Sequence, residues 1–275
     1  MARRQFMVPC FTRVVFPARP DYTASMAAHP RDLRSRNVLN AHSLKLFPDE
    51  TLQHRIARAI CAANCLPRKE FFEAWEVAKR VRRRLRGGHV YDLAAGHGVV
   101  AAILLILDDS SPGATCVDLK RPPSQERVLA ALTDAWPRLA GRITYEEADV
   151  ATVRPKSEDL VVSVHACRDL TDKVLDVAIH ADCRVAVLPC CHDLKRCSAG
   201  AYRGWMDASL AIDVARVVRM EQAGFAVVTS AIPTAITPKN RLLMATPAGW
   251  QVKPKGGISA YQGTRERSAF LDDAT

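Results

Sequence analysis

With 275 residues, 48% of them hydrophobic, the chain is long enough to bury one substantial core and a small accessory region. It has no stretch approaching the roughly 18 consecutive apolar residues a membrane-spanning helix needs, so a cytoplasmic protein without a membrane span is expected. Nine cysteines, an odd number without regular spacing and with no signal peptide ahead of them, fit reduced thiols better than a disulfide framework.

The formal net charge of +10 is unevenly placed: residues 1–89 hold 18 Lys and Arg against 7 Asp and Glu, which leaves 21 against 22 for the remainder. This polarity favours a polyanionic partner such as RNA, because neutralising phosphates releases counterions; a solvated basic face is the alternative. Residues 1–30 contain Arg3, Arg4, Arg13 and Arg19, four prolines, and no acid before Asp21. An organellar targeting segment can look like this, but the prolines interrupt any long amphipathic helix, and a disordered tail is expected.

Residues 31–87 read as a basic helical region. Pro48-Asp49-Glu50 opens one helix, with Leu52, Ile56, Ala59 and Ile60 at helical spacing. Pro67 opens a second, running through Phe71, Trp75, Ala78 and Val81 towards Gly87-Gly88. Its last turns carry Lys79, Arg80, Arg82, Arg83, Arg84 and Arg86. Cations suit a helix C-terminus, yet the cluster exceeds what a helix dipole calls for, and these six residues are the expected phosphate contacts.

From residue 88 strands and helices alternate. Val90 and Tyr91 lead to Asp92, Gly96 and Gly98 supply a turn, and the unbroken apolar run from Val99 to Leu107 follows. A strand, glycine turn and helix in that order lets a ligand approach the backbone near a helix N-terminus. Two glycines alone fit any tight turn, but the β-like run from Ala114 to Val117 ends in Asp118, whose carboxylate can accept both hydroxyls of a ribose. Asp149 follows the run from Arg142 to Tyr145. Asp159 to Val164 and Arg184 to Leu188 are continuous apolar runs of the kind covered on both faces of a sheet. Thr171-Asp172 is placed to cap the helix between them, and the helix with Leu210, Val214 and Val217 leads to two last strands, Phe225 to Ile232 and Leu242 to Thr246.

Two of these strands end in His165-Ala166-Cys167 and Pro189-Cys190-Cys191-His192. With the glycine turn, Asp118 and Asp149, they make the sequence resemble class I S-adenosylmethionine-dependent methyltransferases. It is most similar to methyltransferase-like families whose fourth strand ends in a His-Ala-Cys motif and whose fifth ends in Cys-Cys-His. Relatives of tRNA acceptor-stem ribose methyltransferases and of the methyltransferase domain of glutathione-S-transferase-C-terminal-domain proteins are among them. The resemblance covers roughly residues 88–247. It implies an α/β, Rossmann-like doubly wound fold, mostly parallel with a final antiparallel strand, preceded by N-terminal helices and followed by an extension over 248–275. Two positions depart from the family pattern: Ala94 stands where the first glycine of the turn is usual, tolerable if its φ is negative, and Arg168 stands where glycine follows the fourth-strand cysteine.

The cofactor implied is S-adenosyl-L-methionine. The backbone near Asp92 and Ala94, with Gly96 and Gly98, is expected around its methionine part, Asp118 at the ribose, Asp149 by the adenine, and His165 beside the reacting end. His165 and His192 can each take a proton from a substrate hydroxyl. Cys167 and Cys190, at successive strand ends, offer a covalent alternative in which a thiolate attacks a pyrimidine ring. Cys183, Cys190, Cys191, His192 and Cys197 raise a zinc reading, but the irregular spacing speaks against it and no metal is expected. The reading is therefore a methyltransferase acting on RNA through the basic N-terminal helices. A methyltransferase of a protein or small molecule and a non-catalytic adapter with this fold are the alternatives.

Overall fold

The computed structural model describes residues 33–250; the tail expected over 1–30 and most of the extension expected over 248–275 lie outside them. A short 3-10 turn at Ala41–Leu46 precedes helices α1 (Leu52–Ala63) and α2 (Arg68–Arg84). The alternating part follows as β1 (Val90–Leu93), α3 (Val99–Leu107), β2 (Ala114–Asp118), α4 (Gln125–Ala135), β3 (Ile143–Glu147), β4 (Leu160–Val164), α5 (Leu170–Ala181) and β5 (Arg184–Leu188). Helix α6 (Ala208–Gln222) and strands β6 (Phe225–Ala231) and β7 (Arg241–Pro247) complete it.

The seven strands form one sheet in the order β3-β2-β1-β4-β5-β7-β6. Strands β1 to β5 pair in parallel, and β7 lies antiparallel to both β5 and β6. The expected doubly wound sheet with an antiparallel end is what the chain forms. From β1 the chain winds outward to β2 and β3, then returns to β4 on the other side. The crevice between the C-terminal ends of β1 and β4 is therefore the switch point at which open α/β sheets bind ligands.

The two apolar faces follow from strand alternation. Leu160 and Val162 of β4 face a core shared with Ile56, Phe71, Val81 and Leu104 of the helices, while Val161 and Val185 pack with Leu175 and Met220 on the opposite face. Helices α1 and α2 thus share one core with the sheet. Thr51 caps α1 by accepting the amide of His54. At α5 the structure departs from expectation. The helix starts at Leu170, and Thr171, fully buried, turns its hydroxyl back onto the carbonyl oxygen of Ala166 instead of capping.

The basic run at the end of α2 also differs from expectation. It leads straight into β1, so it lies at the sheet edge opposite the β1–β4 crevice. Arg82 is buried, donating to the carbonyl of Leu104 at 3.0 Å and to the hydroxyl of Ser111 at 2.8 Å, and is not available to a phosphate. Lys79 and Arg80 both pair with Glu76, and Arg86 donates to the carbonyl of Arg82 at 3.0 Å. Arg83 and Arg84 are the exposed members without such engagements. Arg82→Ala should lower the unfolding free energy by about 1–3 kcal/mol, because it strands buried acceptors, while Arg83→Ala should stay within about 0.5 kcal/mol. Urea denaturation of both variants checks this, and equal effects would contradict the structural role of Arg82.

Candidate active site

The turn after β1 holds Ala94, Gly96 and Gly98 at φ of 56°, 51° and 69°. Ala94 does not meet the condition of a negative φ: the alanine occupies the left-handed region natural to glycine, at a cost of about 1–2 kcal/mol. Gly98 is required by packing, since a Cβ there would lie 2.7 Å from the sulfur of Cys116 in β2. At Gly96 a Cβ would meet nothing within 4 Å, so the turn opens there onto free space.

Both backbone groups of Gly96 are held by the neighbouring strands. Its amide donates to Oδ2 of Asp118 at 3.0 Å, and its carbonyl accepts from the Tyr145 hydroxyl at 3.0 Å. Oδ1 of Asp118 accepts the amide of Leu119 at 2.8 Å, and the Arg121 guanidinium lies 5.3 Å from the centre of the Tyr145 ring. Tyr145 was visible in the sequence only as an alternating strand residue. Asp92 is buried, accepts the amide of Ala101 at 3.2 Å, and has its carboxyl pushed up to about 8, by burial first and by the nearby Asp118 as well. At neutral pH it is a mostly protonated brace for the start of α3. Asp149 lies two residues beyond β3, exposed, and accepts the amide of Ala151 at 3.0 Å in its own turn.

At the end of β4, His165 has φ 77° and Arg168 φ 60°, so the second family departure is again a side chain standing in a glycine conformation. The imidazole of His165, about a third exposed (32%), places Nε2 3.0 Å from Oε2 of Glu73 on α2. The pair falls outside hydrogen-bond geometry and acts as an ion pair when the ring is protonated. Glu73 is almost wholly buried and also pairs with Lys69 at 2.9 Å. Burial pushes its carboxyl up, but His165 and Lys69 outweigh that and hold it below the ordinary value. Sequence reasoning missed Glu73, which reads as one more charge on a helix.

The remaining predicted residues separate into two groups. Cys167, Cys190 and Cys191 meet, with sulfur separations of 3.1 Å, 3.3 Å and 3.7 Å. Burial pushes the thiol of Cys190 far up and the neighbouring sulfurs add to this, so it is not an activated nucleophile at neutral pH. Cys183 is buried in the core and Cys197 lies beside Arg216, so neither joins that group. His192, only 3% exposed, bonds Oδ1 of Asp213 at 2.7 Å. Asp213 in turn pairs with Arg241 at 2.6 Å and Arg216 at 3.3 Å, and Arg216 grips Asp172 through two bonds of 2.9 Å. His192 is thus a member of a buried ion network, and the structure does not set it beside Glu73 and His165.

A mostly parallel seven-stranded sheet, a glycine turn after β1 and a carboxylate from β2 clasping that turn are the arrangement of the class I S-adenosylmethionine-dependent methyltransferase fold. Residues 70–197, just under half of the chain, match the family described as methyltransferase domain. No curated protein is significantly similar in sequence. Among solved structures, an O-methyltransferase family protein from Burkholderia thailandensis is 19% identical with a TM-score of 0.44, covering 78% of this chain and 65% of its own. Human N-acetylserotonin methyltransferase in complex with the cofactor is 13% identical with a TM-score of 0.41, covering 70% and 56%. Magnesium protoporphyrin IX methyltransferase from Synechocystis PCC 6803 is 12% identical with a TM-score of 0.41, covering 78% and 98%. The chain therefore spans less than two thirds of the length of the first two, and no substrate is carried over from any of the three.

The residues present fit the cofactor. Gly96 borders open space, and the carboxylate of Asp118, already turned to that glycine, is placed to accept ribose hydroxyls. Asp118→Ala should weaken S-adenosylmethionine binding by about 1–3 kcal/mol through loss of a charge-assisted hydrogen bond. Titration calorimetry reads this directly; unchanged affinity would remove Asp118 from the binding site.

Proposed function

We propose that this chain methylates RNA, with S-adenosylmethionine as donor and His165 as the general base. The observation that carries the RNA reading is the segment joining β5 to α6 at the crevice edge. It exposes Lys195, Arg196 and Arg203 together with Trp205, which is 87% exposed. Cations for phosphates and a free aromatic face for an unstacked base are the pairing by which single-stranded RNA is held. Arg168, exposed beside Cys167, adds a further positive charge on the same edge. On this reading the polyanion docks at the crevice and not on the buried part of the α2 cluster.

When bound, S-adenosylmethionine supplies an electrophilic methyl group on a sulfonium. The glycine turn and Asp118 fix its position, and positioning of the two reactants does much of the work. His165 takes the acceptor's hydroxyl proton onto its ring as the acceptor oxygen gains the methyl. Glu73, 3.0 Å from Nε2, balances the positive charge the ring acquires. The three neighbouring thiols bond to one another and to no base, which favours this acid–base course over attack by Cys167 or Cys190.

In single-turnover methylation, His165→Ala should slow the reaction by about 10²–10⁴, the usual worth of a positioned base. Glu73→Gln should give a smaller loss and a shifted pH profile, since it keeps the shape and removes the charge. Full activity in both variants would leave positioning as the whole of the mechanism.

RNA affinity, measured by anisotropy across a salt series, should fall steeply with salt, and replacing Lys195, Arg196 and Arg203 with Gln should flatten the slope by about one unit for each phosphate no longer neutralised. Trp205→Ala should cost about 1–3 kcal/mol. No RNA binding at low salt, or an unchanged slope, would overturn the RNA reading and leave a small-molecule or protein acceptor.

A further inference from the structure

We propose that Cys167, Cys190 and Cys191 form a three-thiolate zinc site with its fourth coordination position open at the crevice edge. The sequence distributes these cysteines over two separate motifs, and the parallel pairing of β4 with β5 brings them together. All three sulfurs lie within 4.8 Å of one another. Zinc–thiolate bonds of about 2.3 Å in a tetrahedron separate sulfurs by about 3.8 Å, so the observed 3.1 Å, 3.3 Å and 3.7 Å need only a small outward movement to seat one ion. A disulfide is the competing fate of neighbouring thiols, but it would single out one pair at about 2.05 Å and leave the third sulfur aside. Here the three separations are similar, as a shared central ion requires.

The backbone around the sulfurs is fixed independently of them. The amide of Arg168 donates to the carbonyl of Cys191 at 3.1 Å, tying the loop after β4 to the loop after β5. The carbonyl of Arg168 accepts from the buried guanidinium of Arg216 at 3.0 Å. The left-handed peptide at Arg168 is thereby held from both sides, and Cys167 is held with it. Outer bonds of this kind orient metal ligands. Three thiolates and one Zn²⁺ carry a net charge of −1, which the adjacent Arg168 offsets. Soft thiolates select zinc over the hard cations, and exposure of Cys167 and Cys191 gives the ion a path in from solvent. Three protein ligands and an open position are the composition of zinc centres that hold an exogenous ligand.

The test uses the full chain purified under reducing conditions from zinc-supplemented medium. Elemental analysis should find one zinc per chain, and Co²⁺ replacement should give tetrahedral visible bands with sulfur-to-metal charge transfer. Cys167→Ser, Cys190→Ser and Cys191→Ser should each weaken metal binding at least about tenfold with circular dichroism unchanged, while Cys65→Ser retains it. If a serine variant unfolds, thiol-reagent titration of the unaltered chain decides instead: release of zinc in step with modification of these three cysteines supports the site. Folded protein that holds no zinc and gives no Co²⁺ spectrum overturns the proposal. So does zinc that survives all three substitutions, or a Cys167–Cys190 disulfide found by mass spectrometry in the reduced preparation.

Discussion

The hydrogen bond from the Gly96 amide to the Asp118 carboxylate is the contact on which the rest of the site depends. It exists because β1 and β2 run parallel with Leu93 opposite Val117, which brings the residue ending β2 level with the turn that leaves β1. Tyr145 reaches the same glycine from β3, so three consecutive strands converge on one residue. The buried Asp92 braces the start of α3 from beneath. With the turn gripped on both its N–H and its C=O, the free space beside Gly96 has a fixed floor, and a ligand binding there does not have to order the loop first.

The helices before the sheet are part of the same machinery. Helix α2 lays Phe71, Val77 and Val81 into the core, and the register that buries them also aims Glu73 at the end of β4. A buried carboxylate is costly unless paired, and Lys69 and His165 supply the charges that offset it. One helix therefore links the acceptor edge, through Glu73, to the opposite edge, where Arg82 ties it to α3 through Leu104 and to Ser111 beyond. Part of the positive charge of residues 33–89 consequently holds the fold together.

The sheet was legible from the sequence because its central strands are continuous apolar runs and its turn is spelled out by glycine. The place of Asp118 at the end of β2 was legible from the apolar run before it. Glu73 was not: in the stretch Phe71-Phe72-Glu73-Ala74-Trp75-Glu76 a carboxylate every third residue looks like a solvent stripe, and only the docking of α2 against β4 buries it. Arg82 was misread for the same reason, since a run of arginines gives no sign of which one points inward. The cysteine cluster was obscured by chain proximity. Cys183, Cys191 and Cys197 are close in sequence, yet a strand and its following loop disperse them, while the distant Cys167 arrives through the neighbouring strand. Likewise His165 directly follows β4, whereas His192 lies four residues past the end of β5, where α6 brings Asp213 over it and withdraws it into an ion network.

Backbone strain gives an independent pointer to the same edge. Among the described residues five that are not glycine have positive φ: Asn64, Ala94, His165, Arg168 and Asp182. Asn64 and Asp182 follow the last turns of α1 and α5, where a short polar side chain tolerates the left-handed cap. The other three have no such excuse, and all lie on the loops that leave β1 and β4. Each costs about 1–2 kcal/mol, a cost that persists only where the surroundings over-determine the conformation. Such surroundings are present: Gly96 is clasped beside Ala94, Glu73 faces His165, and Cys191 and Arg216 hold the peptide of Arg168. Ala94 and Arg168 are also the two positions where this chain departs from the family's glycines. Side chains thus stand in a backbone shape natural to glycine, which places the constraint on the geometry of the crevice rim rather than on the side chains that occupy it.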